Sequence, residues 1–102
     1  MVKSIKWSPE AVADRIQILN YWNIKTGSKS YSIYLDNTFK DIVSSIKKFS
    51  KIGRPYDFIP EGNIRYLVKD YYQIFYRETS DSIDILHIWD TRRNPENLSF
   101  KE

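Results

Sequence analysis

The sequence contains no cysteine and a single histidine, His87, in 102 residues. The first absence excludes a disulfide framework and a thiolate metal site, and it fits a reducing cytoplasm. The second makes a transition-metal centre unfavourable, because no carboxylates stand at useful spacing to complete a ligand set around one imidazole. Glycine and proline are scarce, three and four, and fall singly as punctuation. Without a glycine-rich loop to cradle phosphates, nucleotide-dependent chemistry has no seat. Apolar runs are too short to span a bilayer, and no secretory pattern opens the chain. No cofactor, metal or membrane is therefore expected.

What the sequence does have is rings and a slight excess of positive charge. Eight Tyr, five Phe and three Trp make up 16% of the residues, more than a small core can hide, so some should lie on a contact surface. The net charge of +3 favours an acidic partner, whether nucleic acid or an acidic protein segment. The length fits one domain over residues 1–102.

Along the chain, "VKSIKW" (2–7) reads as a short strand. "SPEA" then starts a helix: Ser8 caps it, Pro9 suits the first turn and Glu10 complements the positive end of the dipole. Val12, Ile16 and Leu19 recur at helical spacing, widened by Ala11, Ile18 and Trp22, until Gly27 breaks the pattern. A second helix is expected from about Ser28 to Phe49, its stripe formed by Leu35, Phe39, Ile42, Ile46 and Phe49. The period then changes to two. Residues 64–69, 72–77 and 82–89 read as consecutive strands joined by hairpins. The expected fold is α+β in the order β-α-α-β-β-β, a helical hairpin against a curved, mainly antiparallel sheet. Its opposite face is expected to form a groove rimmed by Arg65, Lys69, Arg77, Arg92 and Arg93.

An opening strand ending "WSPEA", a long helical hairpin, "GRP", an "IR-L" strand, "YQIFYR" and "ILHIWDTRRNP" together resemble the RelE/ParE superfamily of bacterial toxins. The resemblance runs from Ile5 to Leu98, and it rests on the order and spacing of the motifs rather than on any one of them. It implies the toxin half of a type II toxin–antitoxin module, as in plasmid stabilization, neutralised by a cognate antitoxin and meeting operator DNA only through that antitoxin. RelE-like members are ribosome-dependent endoribonucleases that cut mRNA without a metal; ParE-like members poison DNA gyrase. Fold alone does not choose between them.

Position by position, the nuclease pattern is poorly kept. Arg65 and Arg92 retain basic positions, but Leu67 and Gln73 stand where a lysine and an arginine are expected, and Leu98 replaces a tyrosine. In-line cleavage needs phosphate charge stabilisation and proton transfer. Arg65 and Arg92 would supply the first and His87 the second, giving Arg65, His87 and Arg92 as the catalytic set of the RelE-like alternative, with ribosome and mRNA as partners. The long hairpin and "ILH" followed by arginines favour a ParE-like gyrase inhibitor. A degenerate relative that binds only its antitoxin is a further alternative.

Each residue also has a plainer reading. Strand alternation places His87 with Ile83, Ile85 and Trp89, which suits a structural histidine. Arg92 and Arg93 form either an anion-binding corner with Arg65 or a salt bridge to Asp90 or Asp84, and the residues leave both open. Lys47, Lys48 and Lys51 suit the negative end of a helix dipole. Tyr71, Tyr72 and Tyr76 serve as base-stacking rings or as packing. The residues expected to meet target or antitoxin are Arg65, Lys69, Arg77, Trp89, Arg92 and Arg93.

Overall fold

The computed structural model describes residues 3–93 and 98–100. Strand β1 (Ser4–Trp7) leads into helix α1 (Pro9–Thr26) and helix α2 (Ser30–Lys48). A two-residue strand β2 (Arg54–Pro55), a 3-10 turn (Pro60–Gly62) and strands β3 (Ile64–Lys69), β4 (Tyr72–Glu78) and β5 (Ser82–Asp90) follow. The expected β-α-α-β-β-β order holds, with the two-residue β2 as an additional strand between α2 and β3. Pro55, which cannot donate to a ladder, stands in this outermost strand, where a missing N–H is tolerated. Pro95, at the end of the stretch "ILHIWDTRRNP", lies outside the described residues, as does Val2 of the expected first strand.

Helix α1 starts and stops where the sequence says it should. The Ser8 hydroxyl accepts from the Ala11 N–H at 3.0 Å, Pro9 occupies the first turn, and Gly27 closes the helix in the left-handed region at φ +68. A residue with a Cβ would be strained there. The sheet order is β1-β5-β4-β3-β2, so the first strand pairs, in parallel, with the last. Strands β3, β4 and β5 form the expected antiparallel meander.

The helices cover one face of the sheet. Leu35, Phe39, Val43 and Ile46 of α2 are buried against Tyr72, Ile74, Tyr76, Ile83, Ile85 and Ile88. Three members of the predicted stripe are right, but Val43 replaces Ile42, which is only half-buried, and Phe49 is exposed. On α1 the buried side runs through Ala11, Ile18, Leu19 and Trp22, and the expected leaders Val12 and Ile16 are exposed. The stripe is rotated because α1 packs against both β5 and α2, which leaves Val12 and Ile16 outside the closest contact.

The other face of the sheet is not an empty groove. Ile64, Phe75 and Trp89 are buried there, packed by Tyr56, Tyr66 and Leu86 and by Leu98 and Phe100 from the end of the chain.

Candidate functional site

A bulge in β5 decides where the chain's charged end points. Phe75 stands opposite His87 and Tyr76 opposite Ile85, so Leu86 has no partner and the register shifts there. Alternation is interrupted at that point. Ile83 and Ile85 face the helices, whereas Leu86, His87 and Trp89 belong to the second face with Phe75. The expectation that His87 shares a face with Ile83 and Ile85 is corrected accordingly; its company with Trp89 stands.

His87 is fully engaged. Its Nδ1 lies 2.8 Å from Asp14 Oδ2 on α1, and its Nε2 lies 2.7 Å from the carbonyl oxygen of Ser99. The Asp14 carboxylate also accepts the backbone N–H of Ile88 at 3.1 Å. The bond to Asp14 pushes the imidazole pKa above its ordinary value, against the opposing effect of burial, and the Ser99 carbonyl adds to the rise. No sequence signal links Asp14 to His87; the contact exists because the turn after Trp7 brings the start of α1 over the bulge, where Ser8 N–H donates to the Ile85 carbonyl at 2.9 Å.

Beyond β5 the chain makes a corner. Arg92 grips Asp90 through two parallel bonds, Nε to Oδ1 at 3.0 Å and Nη2 to Oδ2 at 2.7 Å, while its backbone N–H donates to the same carboxylate. That guanidinium holds the Asp90 carboxyl below the usual carboxylate range, and the bonds to Asp90 raise Arg92 in turn. Arg92 also lies over the Tyr71 ring at 4.6 Å and Arg93 over the Trp89 ring at 4.5 Å. Such stacking fixes each guanidinium plane and leaves donors directed outward. The two readings of this pair therefore combine: Arg92 does pair with Asp90, and both arginines stay exposed. Between Gln17, Ile18 and Tyr21 of α1 and this corner lies an open cleft of about 310 Å³. Lys69 is exposed at the same end of the sheet, since Lys69 pairs with Tyr72 and Tyr72 with Asp90.

The remaining predicted rim residues stand elsewhere. Arg65 Nη1 donates to the Gly53 carbonyl at 2.7 Å, and Arg77 Nε donates to the Gly62 carbonyl at 2.7 Å. Arg65 is opposite Tyr76 on the helix-side face, two strands away from β5. Arg65, Lys69, Arg77, Arg92 and Arg93 therefore do not ring one groove, and Arg65, His87 and Arg92 do not converge on a point where one phosphate could meet all three. Leu98, at the position of the missing tyrosine, packs on the second face. Tyr71, expected either to stack on a base or to pack within the fold, is the platform beneath Arg92.

Among the described residues no helix is long and apolar enough to cross a membrane. A family model for the ParE toxin of type II toxin–antitoxin system, parDE, matches residues 5–95. No curated protein matches the chain. A solved structure, described as the chromosomal ParDE TA system from P. aeruginosa, superposes with a TM-score of 0.62 at 24% identity, covering 85% of this chain and 94% of that one. That likeness is one of fold.

Proposed function

The chain belongs to the family of ParE toxins of type II toxin–antitoxin systems, and on that premise we propose that it acts as a single toxin domain that inhibits DNA gyrase and is neutralised by a cognate antitoxin. The observation that carries the choice of target is the scatter of Arg65, His87 and Arg92. A ribonuclease centre requires its cationic and proton-transferring groups within hydrogen-bond reach of one phosphate. Here His87 has both ring nitrogens occupied and Arg65 is tied to a backbone carbonyl. Inhibition by binding needs no such convergence.

The surface that meets the target is the corner of Lys69, Arg92 and Arg93, with the buried Trp89 ring as the platform beneath Arg93, where stacked guanidiniums present fixed donors to an acidic or phosphate-bearing surface. Arg65 and Arg77 hold loops in place instead. The antitoxin covers exposed apolar side chains of the helical hairpin, of which Ile16 and Ile33 lie along an open groove between α1 and α2. Operator DNA is reached only through that antitoxin.

The test is induced expression with two parallel readouts and a supercoiling assay on purified protein. Loss of gyrase supercoiling with DNA damage, and intact mRNA on ribosomes, is the expected result. Codon-positioned mRNA cuts with unimpaired gyrase would overturn the reading.

A further inference from the structure

His87 is held between two oxygens that carry no proton of their own, the Asp14 carboxylate at 2.8 Å and the Ser99 carbonyl at 2.7 Å. A neutral imidazole has one N–H and can serve only one of them; the imidazolium serves both. The segment held by the second bond is the one that covers the sheet's second face. The Phe100 ring lies in T-shaped arrangement with His87, Phe75 and Tyr56, ring centroids 5.5, 5.2 and 5.6 Å apart, and Leu98 packs on the same cluster two residues earlier. Spacing of two is that of an extended segment seating alternate side chains on one surface.

We propose that His87 is a proton-operated latch: its imidazolium holds Leu98–Phe100 on the second face of the sheet, and loss of one ring proton frees that segment and bares the apolar surface around Phe75. The Asp14 bond is the one that survives deprotonation, because a carboxylate is a stronger acceptor than a carbonyl and Asp14 is fixed by its second bond to Ile88 N–H. Among the described residues, the charged groups that act on His87 are Asp14 and, more weakly, Glu10, both on α1. On β4 it stands opposite Phe75, and from the end of the chain it meets the Ser99 carbonyl and the Phe100 ring. Both carboxylates act in the same direction, favouring the charged imidazole and so the latched form. The raised pKa of His87 places the release toward the neutral range rather than in acid.

By linkage, whatever factor separates the proton affinities of His87 in the seated and released states reappears as the change in the seated-to-released ratio across the titration; a tenfold difference in one gives about a tenfold change in the other. The experiment follows the imidazole nitrogens of the full-length protein by NMR through the neutral range. It also measures backbone relaxation at the Leu98, Ser99 and Phe100 amides, which reports release rather than mere proximity to a charge. The expected result is that both nitrogens carry protons at low pH and that the three amides gain mobility with the same midpoint as the ring. In His87→Gln, which offers an amide donor but cannot titrate, the pH dependence at those amides should vanish. Mobility that stays constant while His87 titrates in the wild-type protein would overturn the proposal, as would a midpoint retained in His87→Gln. The wild-type comparison decides the matter even if the variant fails to fold.

Discussion

Gly53 lies against the Tyr76 ring so closely that a Cβ at position 53 would sit 2.6 Å from the Tyr76 hydroxyl and 2.8 Å from its Cε1. The contact is used: the Gly53 N–H donates to that hydroxyl at 2.9 Å, and the hydroxyl donates to the Ser50 carbonyl at 2.7 Å. Burial pushes the Tyr76 phenol up, so it remains a donor throughout the working range. One buried ring thus ties the chain leaving α2 to the middle of the sheet. Replacing Tyr76 by Phe strands the two backbone groups and is expected to cost about 1–3 kcal/mol. Gly53→Ala should cost at least as much, because neither the buried ring nor the Tyr66 carbonyl 3.0 Å away can yield cheaply. Urea midpoints for the two variants check this, and an unshifted midpoint in Gly53→Ala would show that the ring relocates freely.

Packing on α2 predicts a graded series. Phe39 is 1% exposed and meets Tyr72 edge-to-face at 5.7 Å, so Phe39→Ala should lose about 3–5 kcal/mol. Ile42 sits at the margin of the same core, and its truncation should cost less than about 2 kcal/mol, since only part of the side chain leaves contact. Ile16→Ser, at a position 54% exposed, should fall within about 0.5 kcal/mol of wild type. Denaturant unfolding of the three variants gives the order directly. A loss at Ile42 equal to that at Phe39 would mean that the stripe is centred where the sequence alone put it.

That series also marks what the residues disclose. Ser8, Pro9 and Gly27 announce the bounds of α1, because capping and left-handed closure are local requirements that local residues must meet. The period-two runs of β3, β4 and β5 are equally plain. Whether Ile42 or Val43 faces inward is not a local matter: both are apolar neighbours, and the sheet chooses between them. The bulge at Leu86 has no marker either, since no glycine or proline stands there, and missing it turned His87 toward the wrong neighbours. The groove expected from a list of cations failed for a similar reason. Sequence supplies Arg65 and Arg77 as charges, but only the fold reveals that backbone carbonyls at Gly53 and Gly62 receive them.

At the corner beyond β5, Arg92→Ala combined with Arg93→Ala should abolish toxicity while leaving the protein folded. Both side chains are exposed, and of the two only Arg93 touches a buried ring, that of Trp89, from outside, so the unfolding midpoint should move only modestly. Growth on induction, gyrase supercoiling and thermal unfolding together provide the check. Retained toxicity in a stable double variant would move the target-binding surface away from this corner.

The pH dependence of stability follows from the pair of His87 and Asp14. The folded protein holds the imidazole proton more tightly than the unfolded chain, whose value lies near the ordinary 6.5, chiefly because of the bond to Asp14. The stability this supplies is therefore fully present below about pH 6.5 and is lost as pH rises through the higher folded value. Wild type should weaken relative to His87→Gln as pH climbs from mildly acidic to mildly alkaline, since the glutamine variant lacks the titration. Asp14→Asn should flatten the same difference, because the main source of the raised proton affinity has gone. The two curves of unfolding free energy against pH, one for each variant minus wild type, are the measurement. Parallel curves for wild type and His87→Gln would show that the folded and unfolded chains bind the His87 proton equally, and that the short contact to Asp14 carries no charge-dependent stabilisation.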